Sequence, residues 1–209
     1  MIVNALISGL LSTGIEVYNC GLLPTPTLQY NVMKGRFDGG VIVTASHNPP
    51  QYNGIKVVGS KGIEITREDE REIEKYYFAG KFDRVDWRRI PDRDYMYEKA
   101  AEIYVNDVLK QVDVELIKSK KFKVIIDCAN SVGALTTPII AKKLGCRVLT
   151  INGNLDPDFS WREPEPTVNS LKDTALIVRQ LNADLGVGHD GDADRSIFID
   201  DRGRVMWGD

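Results

Sequence analysis

The sequence predicts an α/β protein with two domains, each built on a mostly parallel, mixed sheet that helices cover. Short apolar runs rich in β-branched residues, such as residues 41–43, alternate along the chain with amphipathic helical segments. A charged, irregular stretch over residues 81–94, with Pro91 inside it, separates two such series. We therefore place a domain boundary there and predict domains over residues 1–90 and 91–209, which suits a chain of 209 residues.

The first half contains signals for three helices and three strands. The apolar residues at the start of the chain suggest a helix without a capping residue before it. Thr25 followed by Pro26 predicts an N-cap with proline at the first helical position, and Thr66 with Asp69 is a weak capping-box match. We predict helices over residues 1–11, 25–33 and 66–78, and strands over residues 15–18, 41–43 and 54–58.

The second half alternates helices and strands more regularly. Ser170 and Asp173 predict a capped helix after a long loop over residues 152–169. Strands that alternate with helices indicate a parallel sheet, and such sheets bind ligands at the carboxyl ends of their strands. We predict helices over residues 93–110, 134–144 and 170–181, and strands over residues 123–127, 147–151, 184–187 and 196–200.

The composition excludes several function classes. Hydrophobic residues at 43% and charged residues at 27% are ordinary for a globular protein. A net charge of −3 gives no reason to expect nucleic acid or an anionic membrane as a partner, and no apolar run approaches the roughly 20 residues of a membrane span. Cys20, Cys128 and Cys146 are far apart, which argues against a disulfide framework or a thiolate zinc site and for a reducing, cytoplasmic location.

Three aspartates follow the strand predicted over residues 184–187. Asp190, Asp192 and Asp194 alternate with small residues, and the mutual repulsion of three adjacent carboxylates is on the order of 10 kcal/mol near a protein surface. A solvated turn is the common alternative for a single D-x-D pair, but three aspartates directly after an apolar strand favour a bound cation. Oxygen ligands select hard cations, so Mg²⁺ comes first, with Mn²⁺ or Ca²⁺ still open.

A calcium-binding EF-hand begins with the same spacing of aspartates and has to be considered. Its sixth position requires glycine, whereas this chain has Arg195, and its twelfth position would be Asp201 in place of a bidentate glutamate. The flanking segments are also predicted strands, so the EF-hand interpretation fails. Three aspartates do not complete an octahedral shell, and a phosphate oxygen is the natural further ligand.

A second segment of interest, residues 44–50 (TASHNPP), follows the strand predicted over residues 41–43. It places the hydroxyl of Ser46 beside the imidazole of His47. In isolation this pair favours a serine that caps a turn and a histidine bonded to backbone, because triad partners usually come from separate parts of a fold. No G-x-S-x-G motif or P-loop occurs. A serine opposite a magnesium site suggests a phosphoryl carrier, since phosphoserine adds about −1.5 to −2 charge and three acceptor oxygens.

These segments resemble the two signature loops of the α-D-phosphohexomutases, most closely their phosphomannomutase/phosphoglucomutase branch. Residues 44–50, followed by residues 52–56 (YNGIK), are similar to the phosphoserine loop of that family, and residues 190–195 (DGDADR) are similar to its magnesium loop. The likeness covers essentially the whole chain in the family's order. Supporting similarities occur at residues 21–26, 164–166 and 183–186.

The resemblance implies a metal site and a set of catalytic residues. The implied Mg²⁺ ligands are a phosphate oxygen on Ser46 and the carboxylates of Asp190, Asp192 and Asp194. The implied catalytic residues are Ser46, His47, Lys56 and Arg195. Arg195 would steady the phosphoryl group or the acidic loop. Lys56 would help proton transfer, and its alternative is a solvated strand lysine.

The implied activity is an intramolecular phosphotransfer that interconverts the 1-phosphate and the 6-phosphate of a hexose, either mannose or glucose. Phosphoserine would give its phosphoryl group to the free hydroxyl of the hexose monophosphate, and the resulting 1,6-bisphosphate would return its other phosphate to Ser46. Two alternatives remain open from the sequence. They are a non-catalytic magnesium-binding module that pairs with other chains, and a magnesium-dependent phosphatase.

The resemblance also implies that part of the family's machinery lies outside this sequence. Members have four domains, and this chain lacks the G-T-x-G-x-R-G segment of the first domain and the G-E-M-S-G-H sugar-selecting loop of the third. We therefore expect a partial first domain plus a second domain, inactive or nearly so as a mutase when alone. Uncovered strand and domain edges would favour self-association.

Overall fold

The structure is a computed structural model that describes residues 1–208, and it confirms the α/β class. The helices are α1 (Ile2–Ser12), α2 (Thr25–Gly35), α3 (Arg67–Ala79), α4 (Ala100–Leu109), α5 (Val114–Lys120), α6 (Thr137–Lys143) and α7 (Lys172–Gln180). The strands are β1 (Tyr18–Asn19), β2 (Gly39–Val43), β3 (Ile55–Gly59), β4 (Tyr95–Met96), β5 (Lys123–Asp127), β6 (Arg147–Ile151), β7 (Leu185–His189), β8 (Ser196–Ile199) and β9 (Val205–Met206).

A five-stranded sheet in the order β6-β5-β7-β8-β9 organises the second half. Strands β6, β5 and β7 are parallel, and β8 and β9 continue the sheet in antiparallel fashion. Side chains alternate along β5, so Ile125 packs in a core with α7 while Val124 and Ile126 pack in a second core beside α6. Both faces of the sheet are covered, and the predicted mixed sheet is confirmed in this half.

The first half pairs its strands differently from the sequence prediction. Strands β2 and β3 are antiparallel, with Val41 opposite Val57, in place of the mostly parallel sheet expected from the sequence. The reason is their connection, because residues 44–54 contain no helix and a parallel crossover needs a dozen or more residues. Strand β1 pairs in parallel with β4. The domain boundary near residue 90 stays a prediction.

Helix α2, in the first half, packs against the second half. It begins at Thr25 with Pro24 as its N-cap, so the Thr25 side chain does not cap the helix and is free for another partner. The hydroxyl of Tyr30, on α2, donates a hydrogen bond to Asp107 Oδ2 on α4 at 2.7 Å. This contact holds the middle of α2 against α4 in the second half.

Helix α3 has the capping box predicted for Thr66 and Asp69, but none of its residues is buried. Its exposed large apolar side chains are Ile73, Tyr76, Tyr77 and Phe78.

In the part of the chain that the structure describes, no helix combines the length and the apolar character needed to cross a membrane.

We expect this apolar face of α3 to cause weak self-association, because covering apolar surface from water is favourable. Sedimentation velocity should show a dimer that grows with protein concentration, and the double variant Tyr77→Ser/Phe78→Ser should reduce it. Glu74→Ser, on the same helix, is the matched control. A monomer at every concentration would contradict the prediction.

Candidate functional site

Three loops meet at the carboxyl ends of the strands. The loop after β2 carries Ser46, the loop after β7 carries the acidic segment, and the loop between β6 and α7 carries Glu165. Gly191, in the acidic segment, lies so close to the carbonyl oxygen of Ser46 that a Cβ atom at Gly191 would clash with it. The serine loop of the first half therefore contacts the acidic loop of the second half.

The acidic loop forms a compact set of oxygen ligands. Asp190, Asp192 and Asp194 each place one carboxylate oxygen within 4.8 Å of the others. The backbone N–H of Arg195 donates to Asp190 Oδ1 at 3.0 Å, and the Thr25 hydroxyl donates to Asp192 Oδ2 at 2.7 Å. The other oxygens, Asp190 Oδ2 and Asp192 Oδ1, are buried without a hydrogen-bond partner among the described residues. Buried polar atoms are normally paired, so these two oxygens fit a hard metal ion such as Mg²⁺.

The metal-free loop holds its carboxyl groups in different protonation states. Burial, together with the charges of Asp192 and Asp194, raises the pKa of Asp190 to about 8. Burial also opposes the ionisation of Asp192, but the hydrogen bond from Thr25 and the ammonium group of Lys56 lower the pKa of Asp192 below its usual value. Asp190 is therefore protonated at neutral pH beside an ionised neighbour, and a divalent cation would displace this proton.

We expect the metal-free protein to lose stability as the pH rises from about 4 to about 8. The pKa of Asp190 is about 8 in the folded protein and roughly 3.9 in an unfolded chain. Between these two pH values the folded state binds one more proton than the unfolded state. The free energy of unfolding therefore falls as the pH rises and this proton is lost. Differential scanning calorimetry at acidic, neutral and mildly alkaline pH measures the effect. Asp190→Asn should flatten the pH dependence, and a melting temperature that does not fall in the unaltered protein would refute it.

Lys56 reaches the acidic loop from strand β3. Its Nζ atom lies 3.2 Å from Asp192 Oδ2 and 3.2 Å from Asp194 Oδ2, and its side chain is 24% exposed. Burial disfavours the ammonium charge, but the two carboxylates overcome this and raise the pKa of Lys56. The geometry does not support a solvated strand lysine. It supports an ammonium group held beside two carboxylates, and its role in proton transfer stays a prediction.

The serine loop holds Ser46 in an unusual backbone conformation. Its φ angle is 55°, in the left-handed region, which costs of order 1–3 kcal/mol for a non-glycine residue and is concentrated at functional sites. The N–H of Ser46 donates to Thr44 Oγ1 at 2.9 Å, and the side-chain amide of Asn48 donates to the Ala45 carbonyl at 3.0 Å. These bonds hold the turn, and Ser46 Oγ lies 3.3 Å from Nδ1 of His47.

Glu165, which the sequence did not mark as a site residue, bridges the serine loop and the acidic loop. Its Oε2 atom lies 3.7 Å from His47 Nδ1. Arg195 Nη1 donates to Glu165 Oε1 at 2.9 Å and to Oε2 at 2.8 Å. Arg195 therefore ties the acidic loop to the segment of Glu165, and its implied contact with a phosphoryl group stays a prediction.

The comparisons with known proteins agree with this geometry. Residues 1–84 match the phosphoglucomutase/phosphomannomutase family in its alpha/beta/alpha domain I, and residues 102–203 match its alpha/beta/alpha domain II. A phosphoglucosamine/phosphogalactosamine mutase of Sulfurisphaera tokodaii is 56% identical to this chain, over 100% of the chain and 46% of the relative. A phosphoglucomutase/phosphomannomutase of Thermococcus kodakarensis is 43% identical, over 100% of the chain and 45% of the relative.

The fold also matches solved structures. A phosphoglucomutase/phosphomannomutase family protein from Burkholderia thailandensis has a TM-score of 0.86 and 26% sequence identity, covering 99% of this chain and 44% of that protein. The chain thus spans about half the length of the curated relatives that it matches.

Proposed function

Because the chain belongs to the phosphoglucomutase/phosphomannomutase family, we propose that it carries the phosphoserine and the metal site of a phosphohexomutase. The proposed reaction interconverts a hexose 1-phosphate and a hexose 6-phosphate through a hexose 1,6-bisphosphate. The observation that carries this proposal is the contact between Ser46 and the acidic loop at Gly191. A serine in a strained turn whose backbone touches the loop of the three aspartates suits phosphoryl transfer.

The acidic loop is the proposed cation site. Asp190, Asp192 and Asp194 would hold Mg²⁺, which would supply positive charge for the phosphoryl group in transfer. Asp190 and Asp192 are only 0% and 3% exposed, so these two ligands lie away from bulk solvent. The ammonium group of Lys56 lies 3.2 Å from a carboxylate oxygen of Asp192 and 3.2 Å from one of Asp194, and it supplies positive charge next to both residues.

The two transfers use Ser46 in opposite directions. In the first, the bond between phosphorus and Ser46 Oγ breaks while a bond forms to the free hydroxyl oxygen of the hexose, which releases its proton. Lys56, paired with Asp192 and Asp194, is proposed to give a proton to the departing Ser46 oxygen and to recover one from the sugar hydroxyl, so that the proton released equals the proton taken up. In the second transfer the sugar oxygen departs and takes up a proton, and Ser46 Oγ attacks phosphorus and loses one. His47, 3.3 Å from Ser46 Oγ, would orient the hydroxyl.

The sugar remains open between neutral hexoses and amino sugars. Mannose and glucose phosphates are the substrates that the sequence resemblance implies. The Sulfurisphaera tokodaii relative, 56% identical, is a phosphoglucosamine/phosphogalactosamine mutase. We therefore propose glucosamine 1-phosphate beside mannose 1-phosphate and glucose 1-phosphate as the substrates to compare.

Intact-mass spectrometry tests the central step. The chain is incubated with Mg²⁺ and glucose 1,6-bisphosphate, and we expect the mass to rise by one phosphoryl group located on Ser46. Ser46→Ala should abolish the increase. Ser60→Ala, an exposed serine near the end of β3, is the matched control and should leave it unchanged. No phosphorylation of the folded, Mg²⁺-loaded chain would contradict the proposal.

A coupled assay separates the alternative functions. Turnover of a hexose 1-phosphate with trace bisphosphate supports a mutase, and release of inorganic phosphate supports a phosphatase. Neither product and no phosphorylation of Ser46, together with retained Mg²⁺ binding, supports the magnesium-binding module. We expect phosphorylation of Ser46 with little or no steady-state interconversion by these 209 residues alone, since the sugar-selecting loop of the family has no counterpart in them.

A further inference from the structure

A buried arginine lies directly behind the acidic loop and is not one of the residues that the signature loops contain. The side chain of Arg162 is 4% exposed, and its Nε atom lies 3.0 Å from Oδ2 of Asp127, whose side chain is fully buried. A buried charge is costly unless it is paired and hydrogen-bonded. Arg162 meets this requirement through its ion pair with Asp127 and through two hydrogen bonds to backbone carbonyls.

The partner carboxylate is held rigidly. Asp127, the last residue of β5, accepts hydrogen bonds from the Ala129 N–H at 3.0 Å and from the Asn152 side-chain amide at 3.1 Å. The hydroxyl of Thr174, on α7, donates to it at 2.6 Å. These donors fix the carboxylate in place, so it is a stationary anchor for the guanidinium group.

The rest of the guanidinium group holds two site-forming segments. Arg162 Nη2 donates to the carbonyl oxygen of His189, the last residue of β7 and the residue immediately before Asp190. Nη1 donates to the Glu163 carbonyl at 2.8 Å, two residues before Glu165. One planar group thus joins the end of β5, the start of the acidic loop and the segment that carries Glu165.

We propose that Arg162 is a positioning residue for the metal site, through the backbone that carries Asp190 and Glu165; this inference rests on the proposed function. Once a cation displaces the proton of Asp190, three carboxylates must be held close together, and like charges tend to separate. A loop tied at His189 resists this separation, so less free energy is spent on assembling the ligands when the metal binds. A lysine cannot replace the arginine, since its single ammonium nitrogen lacks the fork of donors in fixed directions.

Arg162→Lys tests the proposal, with Mn²⁺ as the probe. The lysine keeps a positive charge opposite Asp127, but it cannot also donate to the Glu163 and His189 carbonyls as the guanidinium group does. We expect Mn²⁺ affinity, measured by electron paramagnetic resonance, to fall by about 10–100-fold, as for other partners that act through a metal ligand. Arg179→Lys, an exposed arginine on α7, is the matched control and should bind like the unaltered chain. Unchanged affinity in a folded Arg162→Lys variant would overturn the proposal.

A second variant covers the case in which Arg162→Lys fails to fold. Asp127→Asn/Arg162→Gln removes both buried charges together, so that neither charge is left buried without its partner, while the fork is still lost. We expect the same weakening of Mn²⁺ binding, and wild-type affinity in this double variant would count against the proposal.

Hydrogen exchange of the metal-free protein supplies a readout independent of the metal. If Arg162 is a positioning residue, the metal-free Arg162→Lys variant should exchange faster than the unaltered chain only at residues 163–165 and 189–195. If its role is merely structural, exchange should become faster throughout the sheet. Exchange that is unchanged in the acidic loop, or raised everywhere alike, would reject positioning even if the unaltered chain failed to bind Mn²⁺. That failure would by itself refute the metal site of the proposed function.

Discussion

Replacing Asp192 with asparagine should weaken Mg²⁺ binding on the order of 100-fold, since loss of even an outer partner of a metal ligand costs about 10–100-fold in affinity. Asp192 is 3% exposed and lies between Thr25 and Lys56, with Oδ1 lacking a hydrogen-bond partner among the described residues. The substitution keeps the shape of the side chain but replaces a charged ligand with a neutral amide oxygen. Isothermal titration calorimetry with a magnesium salt measures the change.

The fold should survive this substitution, because the Thr25 hydroxyl can donate to an amide oxygen as it does to the carboxylate. Circular dichroism checks this point. Asp201→Asn is the matched control, since it makes the same chemical change at an exposed turn and should leave the affinity unaltered. Equal Mg²⁺ affinity in the Asp192→Asn variant and the unaltered chain would reject Asp192 as a ligand.

Local patterns predicted most elements of this fold, but not how all of them pair. Strand β5 was predicted to the residue, because an apolar β-branched run that is buried on both faces has a distinctive sequence. The antiparallel pairing of β2 with β3 depends on the length of their connection. Helix α5 was not predicted, since its seven residues are too few to show a clear apolar period, although Asp113 caps it.

Capping signals were reliable where the side chain had no competing partner. The box formed by Thr66 and Asp69 is present as predicted. Thr25 donates to Asp192, however, and Ser170 donates to the carbonyl of Glu165, so neither caps its helix. The partner of Thr25 lies far along the chain in the acidic loop, so no pattern within a few residues reveals it, whereas Ser170 bonds within the loop that precedes α7.

The candidate site divides in the same way between local and distant residues. Ser46 and the three aspartates lie in two short segments with a distinctive residue spacing, so they could be identified from the sequence alone. Glu165 and Arg162 act through partners far along the chain. Nothing in the sequence around Arg162 distinguishes a buried arginine from the exposed arginines that are the rule. Glu165 lies in the segment 164–166 that resembles the family, but only the fold reveals the contacts of Glu165 and Arg162.

Substituting Gly191 with alanine should disturb the contact between the two loops. The new Cβ atom would overlap the Ser46 carbonyl oxygen and lie 3.4 Å from Cζ of Phe159 and 3.5 Å from Cβ of Pro164. The overlapping atom belongs to the backbone and cannot rotate away, so one loop must shift. Overpacking of this kind lowers the free energy of unfolding by about 1–3 kcal/mol. A shift of about 1 Å at a reacting group costs about 100-fold in rate, and we expect phosphorylation of Ser46 by glucose 1,6-bisphosphate to slow to that extent.

Time-resolved intact-mass spectrometry measures this rate, and thermal unfolding measures the accompanying loss of stability. Gly9→Ala is the matched control, because Gly9 lies on α1 with nothing within 4 Å of a Cβ atom at that position. Alanine there should raise stability by roughly 0.5–1 kcal/mol and leave phosphorylation unchanged. Since Gly191→Ala leaves Ser46 and all three aspartates in the chain, a slow rate in the folded variant would come from misalignment of the loops and not from loss of a reacting group. Phosphorylation at the unaltered rate would show that transfer does not depend on this contact between the two halves.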